Sequence, residues 1–432
     1  MKHIKHIFFV LILMGCFIVR VSAQTGGTIA MGNNGDTIFF NNSPINKTDV
    51  ESITFIPNTN VPSGTIGSWD ASYNLDNSVI AYYMDSNSNN KYEVYIKSNG
   101  NIIAPEDARQ LFRGFINMTS LNGLEYLDTS NVKYMANMFQ GCVSLRTIDI
   151  SSFDTSQVET FQSFFAGNCT YGDMMLTNII GLENLNTTNV TNMQTMFQRC
   201  VNLTTLDLSH FNTSKVTNFV NMFYGCESLY NLNISSFVTT SATSMQGMFY
   251  NCHSLSSLDL SHFNTSNVTS FQGMFQKCTN LSSLNVRSFN TSSATTMYLM
   301  FAQCSSLTVL DLTSFNTTNV TNMQEMFNGC ESLVTIYAKE TFVTTNVSVS
   351  TNMFKNCTSL VGGLGTVFNS SYLGVSRAHL DGGTSNPGYF SGRGGILAEG
   401  NNEQAKFFNN SPFNKGDVES ITFEPYTGAP SG

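Results

Sequence analysis

The chain has 432 residues, 41% of them apolar and 11% charged, which excludes both a charge-rich disordered chain and an uninterrupted membrane protein. Twenty Lys and Arg stand against 29 Asp and Glu, a net charge of −9, and that argues against nucleic acid as a partner because phosphate binding needs a basic surface. Ten cysteines suggest at first sight a disulfide-rich secreted scaffold, but their spacing points elsewhere.

Residues 1–23, MKHIKHIFFVLILMGCFIVRVSA, open with Lys2 and Lys5, run apolar from Ile7 to Val19 and end in Val21-Ser22-Ala23. This is the pattern of an export signal. Two processings stay open: cleavage after Ala23, or a lipid anchor at Cys16 within Leu13-Met14-Gly15-Cys16. Both place the protein at a bacterial cell surface or outside the cell. No later segment is long and apolar enough to be a transmembrane span. Residues 24–66 form a short module containing Ser52-Ile53-Thr54-Phe55. Over 67–115 the segments VIAYYM (79–84) and YEVYIK (92–97) predict two strands around the polar turn DSNSNNK. With Trp69, this β lead-in is expected to cap the first repeat, because an open solenoid end exposes core and strand edge. Asp85, Asn87 and Asn89 in that turn have calcium-loop spacing, but Asn90 and Ile96 occupy the positions that need Gly and Glu. They predict a hairpin turn and no metal site.

Internal repeats dominate residues 116–393. After Cys16 the cysteines fall at 142, 169, 200, 226, 252, 278, 304, 330 and 357, mostly 26 residues apart. Five gapless units align, from NTTNVTNMQTMFQRCVNLTTLDLSHF (186–211) to NTSSATTMYLMFAQCSSLTVLDLTSF (290–315). In the first, Val190, Met193, Phe197 and Cys200 share one face of a helical turn or two, with Thr187 and Thr188 placed to cap it. Leu203, Leu206 and Leu208 then predict a strand, and Phe211 closes the turn. One unit cannot bury its apolar face alone, whereas stacked units build a parallel sheet over a continuous core. Ten rungs would span about 50 Å. The 31-residue cysteine interval holds an insertion and a restart, since GLENLNTTNV (181–190) copies GLEYLDTSNV (123–132) with Gly181 expected at the strand Asp position. Residues 394–432 hold a second, apparently truncated copy of the module: 407–432 matches 39–64 at 20 of 26 positions.

Units of the form V-T-N-M-x-x-M-F-x-x-C-x-x-L-x-x-L-D-L-S-x-F resemble the BspA-like leucine-rich-repeat surface proteins, with the related mycoplasma-type lipoprotein repeats. The resemblance covers roughly Ser68 to Phe390. The SITF module is similar to a short segment common in exported proteins of Bacteroidetes. The resemblance implies an α/β leucine-rich-repeat solenoid, one strand plus a short helix per repeat. It also implies a secreted or surface-attached, adhesin-like protein that binds host extracellular-matrix proteins or another bacterium. It transfers no binding residues.

Chemistry-bearing side chains fit this reading. Nine cysteines at one repeat position predict a row of buried thiols, since stacked neighbours about 4.8 Å apart with parallel Cβ vectors suit no disulfide, and no C-x-x-C pair suggests zinc. Asp207, Ser209 and His210 look like a triad, but strand alternation predicts His210 on the opposite face, and Asp259, Ser261 and His262 merely repeat the set. No enzyme activity and no cofactor are expected. The expected binding surface is the outward strand face: Thr205, Asp207, Ser209, Asn231, Asn233, Ser235, Ser257, Asp259, Ser261, Asn285, Arg287, Asp311 and Thr313, with Ser283 beside them. It suits broad contact with a protein, the alternatives being a glycan ligand or a spacer or self-associating role.

Asp207, Asn233, Asp259, Asn285 and Asp311 alternate strictly, so the true period is 52 residues. An unbroken Asp row would set charges about 5 Å apart, costing about 1 kcal/mol per neighbour in water and about 3 at an effective dielectric of 20. Asn233→Asp combined with Asn285→Asp is therefore expected to lower the melting temperature at pH 7 but not below about pH 3, where the carboxyls are neutral. An equal loss at both values would refute the repulsion.

Overall fold

The computed structural model describes residues 27–29, 38–40, 42–57 and 61–392. The signal segment with Cys16 and the second module copy lie outside the described residues. A hairpin of β3 (Val79–Met84) and β4 (Tyr92–Ser98) forms where the sequence places it, with β2 (Gly67–Asp70) alongside. Its turn is closed by Asp85, which accepts the N–H groups of Asn89 and Asn90 at 3.0 and 3.1 Å. Strand β1 (Val50–Ile56), from the SITF module, pairs in parallel with β4 on one side and with β6 (Ser120–Asn122) on the other. The module strand thereby joins the hairpin to the array. Phe39, Phe40, Val50, Ile53 and Phe55 are buried, and the same five residue types recur in the second copy at 407, 408, 418, 421 and 423.

The array is a solenoid of strands and turns. Each coil contributes one short strand: β8 (Thr147–Asp149), β9 (Asn178–Ile180), β10 (Thr205–Asp207), β11 (Asn231–Asn233), β12 (Ser257–Asp259), β13 (Ser283–Asn285), β14 (Val309–Asp311) and β15 (Thr335–Ala338). Two minor strands, β5 (Ile102–Ile103) and β7 (Leu127–Asp128), pair with each other, and β16 (Phe390–Gly392) closes the far end on β15. The parallel sheet is segmented where the sequence predicted continuity. Strands pair as β8–β9, β10–β11, β12–β13 and β14–β15–β16, so the 52-residue sequence period is also the hydrogen-bonding period.

The segment expected to be helical is a string of tight turns, and no α-helix occurs among the described residues. Thr195 and Arg199 sit at φ 55° and 58°, and every regular coil repeats a left-handed residue at both positions. Two such residues four apart break a helix. Backbone accounting shows what replaces it. Met193, Thr195, Phe197 and Arg199 donate to Asn218, Val220, Met222 and Tyr224 of the next coil, while Met196, Gln198 and Cys200 donate three residues back. The apolar face itself is as the sequence implies: Val190, Met193, Phe197, Cys200 and Leu203 are all buried. Thr187 caps no helix. It is buried, donates to the Asn212 carbonyl at 3.0 Å and accepts the Asn212 N–H at 2.7 Å.

Identical residues therefore stack along the core. Phe112, 139, 165, 197, 223, 249, 275, 301, 327 and 354 form one column of near-parallel rings with centroids 5.4–6.0 Å apart. Such pairs contribute about 0.5–1.5 kcal/mol each beyond burial. Beside it runs a thiol column. Cys142, 200, 226, 252, 278, 304, 330 and 357 each donate to the carbonyl of the column phenylalanine one coil back, at 2.9–3.3 Å. Cys169 departs from the expected row. It lies exposed in the insertion, where Asn168 and Gly172 bond to each other, and Met174 is buried there instead. The restart also differs in register: Ile180, not Gly181, stands opposite Asp149. Gly181 has φ 82°, and a Cβ there would lie 2.2 Å from the Ser151 Cα, so only glycine fits.

Burial pushes the Cys142, Cys226, Cys278 and Cys330 thiols up to about 12 and raises the other four column thiols as well. Apart from Cys16, a thiol-reactive dye should therefore find one fast group, Cys169, in the native chain, and eight more only on unfolding without reductant. Recovery of fewer than nine would mean disulfides and refute the thiol column.

Candidate functional site: the strand face

The strand face carries three outward rows, and the structure separates them by what their side chains already do. The middle row closes each strand. Asp207, Asn233, Asp259, Asn285 and Asp311 each accept the backbone N–H two residues on, from Ser209, Ser235, Ser261, Arg287 and Thr313, at 3.0–3.3 Å. Asp and Asn side chains make this turn equally well, so the alternation preserves the turn while halving the charge. Donation from the Ser209 and Ser261 N–H groups holds the Asp207 and Asp259 carboxyls below the usual range, with smaller contributions from the Asn233 and Asn285 amides.

The last row is partly consumed in the same turns. The Ser235 and Thr313 hydroxyls donate to Asn233 and Asp311 at 2.9 and 2.7 Å. Arg287 pairs with Asp311 across the separation between β13 and β14, at 2.7 Å. Asp311 is consequently buried, which takes it off the surface the sequence assigned it to. Asn233, Asn285 and Thr313 are half-buried.

The first row is different. Thr205, Asn231, Ser257 and Ser283 are exposed on four successive strands, and their hydroxyl and amide groups make no hydrogen bond among the described residues. Composition separates this row poorly from its neighbours, since all three rows are rich in short polar side chains. Only the pattern D-x-S or N-x-S, marking a turn two residues long, could have shown which side chains were occupied.

Between β9 and β10 the face opens into a cleft of about 440 Å³ lined by Ile179, Leu182, Glu183, Leu206, Asp207 and His210, with Ser209 and Thr205 also at its wall. Strand alternation fails here. The strand ends at Asp207, so His210 lies in the turn beyond it and lines the same cleft as Asp207 and Ser209, contrary to the sequence expectation. The groups are otherwise engaged. His210 Nε2 meets the Leu182 carbonyl at 2.8 Å and must donate to it, as His262 Nε2 does to Ile234 at 3.0 Å. Each histidine spans the separation between two strand pairs. Glu183, on a 3-10 turn (Leu182–Asn184) after β9, was missed by the sequence reading; its signal was the restart motif GLE.

Residues 99–175, 168–282 and 243–366 match a family described as Mycoplasma protein of unknown function, DUF285. The chain belongs to that family. The BspA-like, mycoplasma-type resemblance carried by the repeat motif is thus borne out, and the DUF285 region spans the coils described above. Among solved structures, a leucine-rich repeat protein from Bacteroides ovatus ATCC 8483 is similar at 17% identity, covering 61% of this chain and 78% of that one with a TM-score of 0.25. No curated protein matches the chain. No helix among the described residues is long and apolar enough to cross a membrane.

If the middle row serves the turn, Asp259→Asn should leave stability within about 0.5 kcal/mol, whereas Asp259→Ala should cost about 1 kcal/mol, as loss of a capping side chain does. Because the folded carboxyl titrates below its unfolded value, its stabilisation is complete above about pH 4 and fades as pH falls through the folded pKa. The gap between Asp259→Ala and the parent should accordingly narrow in melts at pH 2, and an unchanged gap would refute the carboxylate's role.

Proposed function

We propose that this DUF285 protein is a non-catalytic, exported surface protein that binds another protein through its strand face. The partner classes are host extracellular matrix and the surface of another bacterium. The observation that supports this most is the first outward row. Thr205, Asn231, Ser257 and Ser283 present four sets of hydrogen-bonding groups, one per strand, that the fold itself leaves unused. Strands paired two by two hold their backbone in place, so a partner meets them at little backbone ordering cost. Such a flat polar row fits extended contact with a polypeptide, with a glycan or a second copy of the chain as the competing ligands.

The full chain should bind immobilised matrix proteins or whole neighbouring bacteria. Combined Asn231→Arg, Ser257→Arg and Ser283→Arg should weaken that binding about tenfold or more by steric and charge mismatch. The control Thr217→Arg, Thr243→Arg and Thr269→Arg adds equal charge on the exposed row of the turn ladder and should leave it intact. Equal losses in the two variants would overturn the strand-face assignment, and binding only to glycan arrays or to itself would replace the partner class.

A further inference from the structure

The cleft between β9 and β10 differs in kind from the flat row beside it. We propose that it receives a lysine or arginine side chain carried on the polypeptide partner. This deepens the strand-face reading and rests on it. The cleft lies where β9 and β10 do not pair and the 3-10 turn Leu182–Asn184 replaces the regular passage from one strand pair to the next. Its volume, about 440 Å³, is in the range of ligand pockets, about 300–1,000 Å³.

The lining selects the ligand. Ile179, Leu182, Leu203 and Leu206 supply apolar walls, which suit the methylene stem of a long basic side chain. Glu183 and Asp207 supply two carboxylates, and no lysine or arginine is among the lining residues. The Ser209 N–H holds the Asp207 carboxyl below the usual carboxylate range. His210 donates its Nε2–H to the Leu182 carbonyl, so that N–H is not spent on the cleft carboxylates. An incoming guanidinium or ammonium thus finds two anionic acceptors beside an apolar slot, and an anionic or neutral side chain of the same length finds no partner for its head group.

The test uses the full chain and a fluorescent acetyl-Gly-Gly-Arg-Gly-Gly-amide peptide, compared with its citrulline counterpart, which has nearly the same shape but no charge. The arginine peptide should bind about tenfold tighter at low salt and lose that advantage at high salt. Glu183→Gln and Asp207→Asn should each weaken it about threefold to tenfold. Asp207→Asn keeps the turn, as Asn233 and Asn285 do in their own coils, and an unchanged melt confirms that a loss is not unfolding. Asp259→Asn makes the same charge change two coils away and should have no effect. Equal binding of both peptides, no binding of either, or an equal loss in Asp259→Asn would each overturn the proposal. Failure here with the strand-face variants still impaired removes the cleft alone. Failure of those variants with selective arginine binding retained removes the broader reading instead.

Discussion

Everything in this molecule depends on register from one coil to the next. Along the turn segment alternate N–H groups leave their own coil and bond to the carbonyls of the following one, as Met193, Thr195, Phe197 and Arg199 do. The intervening groups close three-residue turns. That alternation requires two left-handed residues per coil, each costing about 1 kcal/mol when it is not glycine. The cost is offset because no buried N–H between Met193 and Cys200 is left over, Gln194 being satisfied by the Asn192 side chain at 2.9 Å. A helix would satisfy the same groups within one coil and leave nothing to hold the next.

Fixed register places each side chain over its own copy, and that restricts which residues the columns can contain. Phenylalanine tolerates stacking, a thiol can donate to the neighbouring backbone, and a buried threonine can donate and accept at once, as Thr213 does with Val238. A carboxylate over a carboxylate costs repulsion, and in the turn-closing row of β10 to β14 Asn separates the Asp residues. The stack must also end. Phe55 meets Phe112 edge-on at 6.1 Å at one end, and Tyr389 meets Phe354 edge-on at 5.1 Å at the other. An edge-on ring covers the last face of a column without offering a new face to extend it.

Much of this was legible in the chain because repetition averages out local ambiguity. The coil length, the buried face and the phenylalanine columns follow from residues recurring every 26 positions. The turns were not legible from one unit, since Val190, Met193, Phe197 and Cys200 also satisfy a helical period. Reading down the columns carries the missing signal. Gly247 and Gly273 share the position of Thr195, and Gly225 and Gly329 share that of Arg199, all with positive φ. Glycine or asparagine recurring in most coils at one or other of two positions four residues apart is a left-handed signature that no single helix would repeat. Cys169 misled for the opposite reason: it keeps approximate spacing across an insertion that removes it from the column. The cleft was illegible because it arises at the insertion and restart, where the coil-to-coil pattern that predicts the rest is interrupted.

The low charge and the strand face are then two results of one constraint. A surface built from copied coils sets like charges on neighbouring rungs unless copying is interrupted, and along the strand face this chain interrupts it in two ways. Asn alternates with Asp in the turn-closing row, and where a full Asp311 remains, Arg287 from the previous coil neutralises it. What the fold leaves unused is a polar row on the strand face and, at the irregular coil, a cleft whose lining includes two carboxylates and apolar walls. The irregular coil therefore has a chemistry that the regular ones are barred from having. In a repeat protein whose coils are otherwise near copies, position along the array can be recognised only at such a break, so a partner that also contacts the cleft is held at one register and cannot slide along the row.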